Sequence, residues 1–465
     1  MKLLKFLPLF LCLGIFSLPA PSFVSLNAWK VFVLFFSTIL GLVLKSLPMG
    51  GVGILAITVG GFFGVFSIKE AMGAFGSSLV WQVVSVFFIA KAFVKTGLSN
   101  RIAYHIIKLL GKTPLGLGYG FALANTCAGP LVPSSAARVG GILFPIVQAI
   151  SRVLGSSPEE KTEKKIGSFF TMICLYSNGI VASTFMTAMA GNLVSKAVAA
   201  SQGINITWFT WFSNAIVPFL VCIALMPLVL YYVYPPEISD ISGVRSMISE
   251  ELKKLGKLSF NEKSMIFILF SILAGWVFGE SIGLDSLLVT FLGVSSLLVL
   301  NILDFEKDVL DEKEAWHTLI WLAVLVMLAQ KLETSGFLDF VVNNIEYFIS
   351  GFAWPLAFAF LILVYFYSHY FFASNTSHIS AMYGVFLSVA LKAGVPPMLA
   401  ALSIAYASTL FTGLTYYSST EAVILYNSKY VSMKDFFRVG IIMSSFLLVT
   451  WFSVGAVWWK FLGTY

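Results

Sequence analysis

Charge is scarce in this chain. Only 11% of its 465 residues are charged, where a soluble domain carries about a quarter. Hydrophobic residues make up 58%, and apolar runs of about 20 residues, the length that crosses a bilayer, recur from end to end. A soluble globule is therefore excluded. Cysteine is nearly absent. Cys12, Cys127, Cys174 and Cys222 all lie inside apolar runs, and no pair has metal-site or redox spacing, so they read as small packing residues. Histidine is as rare, and His105, His317, His369 and His378 are too scattered for a haem or copper relay. His105 and His317 stand at the edges of apolar runs, where a solvated role is expected. HExxH, GxxxxGK[ST] and a GxGxxG after a strand are all missing, which removes support for metalloprotease and ATP-driven readings. The net charge of +7 does not point to nucleic acid, because the basic residues sit in short loops beside apolar spans, where they set topology. What remains is an all-α polytopic membrane protein whose first partner is the lipid bilayer.

Taken in order, the run at 3–19 follows Lys2 and Lys5 and has the form of a signal peptide or of a first span. A second span follows so closely that a retained span, domain 1–28, is the reading adopted. Spans are expected at 29–47, 50–66 and 79–95, then a re-entrant hairpin at about 114–150, a broken span at 166–201 and a span at 208–234. The longest polar stretch, 235–263, has apolar residues at helical spacing and reads as a cytoplasmic amphipathic linker on the membrane surface. Beyond it, 264–465 repeats the plan of 29–234. Spans are expected at 264–282, 284–303 and 316–332, followed by a hairpin at about 354–391, a broken span at 396–427 and a last span at 437–462. The total is about eleven transmembrane helices and two hairpins. Each half holds five spans, an odd number, so the second half inserts upside down relative to the first, the inverted-repeat plan of secondary transporters. Most of the 29 Lys and Arg residues then fall on one side, which places the N-terminus in the cytoplasm and the C-terminus outside.

The repeat is visible in residues. Val132-Pro-Ser-Ser-Ala-Ala-Arg138 has an echo 240 positions on in Phe372-Ala-Ser-Asn-Thr-Ser-His378, and Lys95-Thr-Gly-Leu98 is matched by Thr334-Ser-Gly-Phe337. Non-helical backbone at membrane depth survives only where protein buries it or where it faces water. Each hairpin break frees N–H groups at the start of the returning helix, where the helix dipole favours an anion. Ser134, Ser135, Ser374, Asn375 and Thr376 add neutral donors for carboxylate oxygens. Two such ends facing each other suit a solute with a negative group at each end. The broken spans, with Thr187-Ala-Met-Ala-Gly-Asn192 and Thr412-Gly-Leu-Thr415, supply another wall. Small residues also serve helix packing in membranes, but four such stretches paired across a repeat favour a site. Arg138 is the most costly residue, at about 2.5–3.5 kcal/mol for a mid-membrane arginine. Glu421 is the one clear acid at comparable depth, a candidate partner for Arg138 or His378.

These residues resemble a known family. Pro133-Ser-Ser-Ala-Ala-Arg-Val-Gly-Gly-Ile-Leu-Phe-Pro145 resembles the first signature of the divalent anion/sodium symporters, and Phe371-Phe-Ala-Ser-Asn-Thr-Ser-His378 resembles the second. The 2-oxoglutarate/malate translocators are the most similar branch, with bacterial citrate and tartrate carriers nearby. The resemblance implies an elevator-type transporter of dicarboxylates such as 2-oxoglutarate and malate, a homodimer in the cell (inner) membrane, and no enzyme activity. The expected substrate-binding residues are Ser134, Ser135, Ala136, Arg138, Thr187, Ala188, Asn192, Ser374, Asn375, Thr376, His378, Thr412, Gly413 and Thr415. The family's Ser-Asn-Thr motif is intact as Ser374-Asn375-Thr376 but reads Ser134-Ser135-Ala136 in the first hairpin. The latter lacks an amide and a hydroxyl that help sodium-coupled members to hold the ion, which argues against a first sodium site. Any sodium is expected near Ser374, Asn375 and Thr376, and no other cofactor is expected.

A dicarboxylate needs positive charge to cross at low cost. If Arg138 and His378 supply it as fixed charges, the empty carrier stays cationic, crosses poorly and returns mainly when loaded. Exchange is therefore the expected mode, with a sodium-coupled dicarboxylate symporter as the alternative. A channel needs a continuous polar lining that the pattern lacks. An intramembrane enzyme needs a nucleophile–base pair, for which Ser368 and His369 are the nearest residues.

Overall fold

The computed structural model describes residues 14, 19–21, 24–44, 46–337 and 353–465, and every regular element among them is a helix. The run at 3–19 lies outside them except for Gly14 and Pro19. Helices α1 (Leu26–Val43), α2 (Met49–Phe62), α3 (Ile68–Ala74) and α4 (Ser78–Lys95) come first. They are followed by α5 (Leu98–Leu110), α6 (Pro114–Ala128), α7 (Phe144–Val153), α8 (Gly167–Thr184), α9 (Ala190–Ser201) and α10 (Trp208–Val233). The polar segment holds α11 (Val244–Leu255). Beyond it come α12 (Phe260–Phe278), α13 (Ser286–Val299), α14 (Lys313–Thr334), α15 (Trp354–Tyr367), the short α16 (Asn375–His378), α17 (Gly384–Lys392), α18 (Pro397–Leu410), α19 (Thr420–Asn427) and α20 (Met433–Phe461). Six of the described helices are long and apolar enough to cross a membrane, among them α4, α10, α12 and α20. Large apolar side chains such as Phe267 and Phe270 on α12 stand exposed on the outer surface. Lipid tails, not water, suit such a surface.

Two helices escape a reading by apolar runs. α3 is only seven residues long. α5 mixes Arg101, His105 and Lys108 with apolar residues, and Leu98, Arg101, Ala103 and Ile107 are buried while His105 is exposed. The linker helix α11 packs against α5 and buries Val244 and Ile248 there, so protein takes up its apolar edge. Arg101 ties the seam together. Its guanidinium donates to Glu262 at 2.5 and 3.2 Å and to the carbonyls of Leu255 and Gly256 at 3.0 and 2.9 Å. Glu262 also closes the capping box that starts α12.

The element order around the two tips recurs. A 3₁₀ turn precedes each tip, at Gly129–Leu131 and Ser368–Phe371, and a π-helical turn follows each, ending at Leu143 and Tyr383, again 240 positions apart. Later 3₁₀ turns break the chain at Met186–Ala188 and Phe411–Gly413. The matched Lys95–Leu98 and Thr334–Phe337 stretches both turn through a left-handed glycine, Gly97 at φ +76° and Gly336 at φ +79°, a conformation open to few other residues.

Packing gathers the helices into two groups. α14 packs on α1, α2 and α4, and α13 joins α4 to α12. In the other group α8, buried along its whole length, packs on α6, α10 and α18. Gly179 lets α8 approach α18 closely. A Cβ there would lie 2.9 Å from the Thr409 carbonyl oxygen. The last helix of each half closes this group: the Trp458 and Trp459 indoles on α20 donate to the carbonyls of Ser213 and Asn214 on α10, at 2.7 and 2.9 Å.

Candidate functional site

Both tips are built alike. Ser134 Oγ accepts from the Ala137 N–H at 3.2 Å and Ser374 Oγ from the Ser377 N–H at 3.4 Å, so each serine caps the returning helix. The amides of Arg138 and His378 reach the carbonyls of Ser134 and Ser374 at 2.9 and 3.1 Å. Between the tips lies a cavity of about 370 Å³ lined by Ser134, Ser135, Ala136, Ser374, Asn375 and Thr376. All six stand among the residues expected from sequence. Met189, Ala190, Ser419, Thr420 and Glu421 complete this side, and Phe87, His317, Thr318 and Trp321 line the opposite wall from α4 and α14. His317 thus belongs to the cavity wall, where an edge position in solvent was expected.

The other expected residues stand behind the lining. Arg138 is fully buried and does not reach the cavity. All five of its N–H donors are engaged. Nε donates to Asn125 Oδ1 at 2.9 Å, and Nη1 to the carbonyls of Val132 and Ala188 at 2.7 and 2.9 Å. Nη2 donates to Asn178 Oδ1 at 2.5 Å and Ser135 Oγ at 3.5 Å. The guanidinium therefore occupies a cage made wholly of oxygens, the donor set that suits a hard cation. Ala188 contributes its carbonyl. Thr187 Oγ1 donates to the Pro130 carbonyl at 2.9 Å, tying the broken span to the hairpin. The Asn192 amide donates to the carbonyls of Ala182 and Phe185 at 2.8 and 3.2 Å, holding the end of α8. On the second side, Asn375 Nδ2 donates to Thr412 Oγ1 at 2.8 Å. Gly413 makes room for the Tyr176 ring, and a Cβ there would lie 2.2 Å from it. Thr415 is buried behind.

Glu421 meets Arg138 through a relay. Asn178 Nδ2 donates to Glu421 Oε1 at 3.0 Å while its carbonyl oxygen accepts from Arg138. The formal charges of the pair cancel, which offsets the positive charge that the sequence assigned to the empty site. His378 is buried and lies instead beside Ser368, with Nε2 2.9 Å from Oγ. The Ser368 hydroxyl donates to the Tyr365 carbonyl, so it accepts from His378. That is the reverse of the polarity a serine nucleophile needs. His369 Nε2 lies 2.9 Å from the Ser418 carbonyl. Asn125 and Asn178 escaped the sequence reading. Their signal was present, since a lone amide inside an apolar membrane helix is costly and marks a polar contact.

An all-helical fold whose two broken, capped tips enclose a small polar cavity defines a polytopic membrane transporter. The model of the sodium:sulfate symporter transmembrane region matches residues 2–465. The chain belongs to this family, the divalent anion/sodium symporters. It is similar to dicarboxylate transporter 2, chloroplastic, of Spinacia oleracea, at 39% identity over 99% of this chain and 83% of that one. It is also similar to the putative malate transporter YflS of Bacillus subtilis, at 40% identity over 97% of this chain and 94% of that one. Both relatives are named for transport, not for catalysis. Among solved structures, the YdaH transporter of Alcanivorax borkumensis shares the fold with a TM-score of 0.60 at 12% identity, over 86% of this chain and 89% of that one.

Proposed function

We propose that this chain exchanges dicarboxylates across the membrane, 2-oxoglutarate against malate, by an elevator movement. The observation that carries the exchange reading is the oxygen cage around Arg138. A cage of four carbonyl-type oxygens would suit a mobile cation, but here a guanidinium on a side chain fills it. A tethered cation cannot leave with the solute, so an ion gradient has no carrier at this position, which favours a counter-solute over sodium as the coupled species. The names of the relatives support the substrate class. The two packing groups, meeting at the cavity, support a part built on α4 and α14 against which the tips and broken spans move. In this reading the two halves are inverted repeats, the protein is a homodimer, and its N-terminus is cytoplasmic and its C-terminus exterior.

A second reading, sodium-coupled symport, is favoured by one observation. Asn375 Oδ1 is buried without a hydrogen-bond partner, in the motif where sodium was expected. Counterflow of labelled 2-oxoglutarate in proteoliposomes separates the two. Exchange predicts uptake that requires internal dicarboxylate and does not change when sodium replaces potassium. Sodium-dependent net uptake into vesicles without internal dicarboxylate would refute it.

A further inference from the structure

Glu421 is an acid in a cavity built for anions, and the exchange reading gives it no task. It is 4% exposed, sits in the first turn of α19 two positions past the capping Ser419, and lines the cavity with both tips. Its carboxylate is held in place. Asn178 donates to one oxygen, and the amide cannot turn over without also losing Arg138. In the dicarboxylate reading the two tips take the two negative ends of the solute. A third negative group would have to share about 370 Å³ with the Glu421 carboxylate. Water is largely displaced from so small a space, and like charges repel more strongly there than in bulk solvent.

We propose that Glu421 is a specificity-determining residue that limits the solute to two negative groups, rejecting tricarboxylates by charge and not by size. This rests on the reading of the chain as a dicarboxylate transporter. The other charged or titratable groups around the cavity are Glu314 and His317 on the opposite wall, with Arg138 behind Asn178.

Two solutes of nearly equal shape test the idea on the wild-type protein. Tricarballylate is glutarate with a carboxylate on its central carbon, and 3-carbamoylglutarate carries a neutral amide there. Each is added as a competitor of malate counterflow at a pH of about 8, where free carboxylic acids are ionised. The expected result is that the amide inhibits at a concentration at least about tenfold lower than the tricarboxylate, a factor of ten standing for one decade in relative affinity. That gap should persist in Glu421→Asp, which keeps the charge, and close in Glu421→Gln. Equal inhibition by the two, inhibition by neither, or a gap that survives in Glu421→Gln would each overturn the proposal. If Glu421→Gln does not fold, equal inhibition by the two solutes in the wild type or in Glu421→Asp still overturns the proposal. Absence of malate counterflow in the wild type would instead count against the dicarboxylate reading.

Discussion

Arg138 illustrates how a costly residue becomes tolerable. A mid-membrane arginine costs about 2.5–3.5 kcal/mol on insertion scales, and here five acceptors from four segments of chain offset that cost. Removing the guanidinium leaves those buried oxygens bare and Glu421 without its counter-charge. Arg138→Ala is therefore expected to cost about 3–5 kcal/mol, the range for breaking a buried pair. It should lower the melting temperature of detergent-purified protein and abolish counterflow. Arg138→Lys keeps the charge but not the planar fork of donors, so an intermediate melting temperature with slowed exchange is expected. An unchanged melting curve in Arg138→Ala would show that the cage does not depend on its cation. The residue's position was legible in sequence because a lone arginine in an apolar run has few explanations. Its direction was not. Whether it faces a solute or the protein depends on Asn125, Asn178, Val132 and Ala188, which lie 6 to 50 positions away in sequence.

At the scale of elements, the tips depend on how closely α8 and α18 approach. Asn178, which links Arg138 to Glu421, is the neighbour of Gly179, which packs on the Thr409 carbonyl. Gly179→Val would force the two helices apart and displace the relay with them. Overpacking of this kind costs about 1–3 kcal/mol. A lower melting temperature together with weakened malate binding is expected, measured as the ligand-induced rise in melting temperature. Normal binding in a destabilised protein would uncouple the tips from this contact. Tips, broken spans and long helices were readable because serine, proline and glycine interrupt apolar runs at matched positions. α3 and α5 were not, since a seven-residue helix and a half-polar one leave no apolar run to find.

For the whole molecule, the distribution of Lys and Arg makes a claim about sidedness that helix packing alone does not address. On a cysteine-free background, Lys253→Cys in α11 is expected to react with a membrane-impermeant maleimide only after cells are opened. Tyr465→Cys is expected to react in intact cells. Both residues are exposed, so accessibility reports the side of the membrane. Labelling of Lys253→Cys in intact cells would reverse the proposed orientation.

Composition and apolar periodicity alone determined that the chain is helical and membrane-embedded, because 11% charge leaves too few ionic groups to solvate a globule of this length. The matched interruptions at Ser134 and Ser374 also marked where a cavity could lie, since broken backbone at membrane depth must be buried by protein or face water. Only the tertiary structure decided which side chains face that cavity. It set Arg138 and His378 behind the lining and brought Glu421 and His317 to the surface of the site. The physical reason is that donors and acceptors inside a membrane protein must find one another across the fold. Their partners are chosen by the packing of α8, α18 and the two tips, not by spacing along the chain.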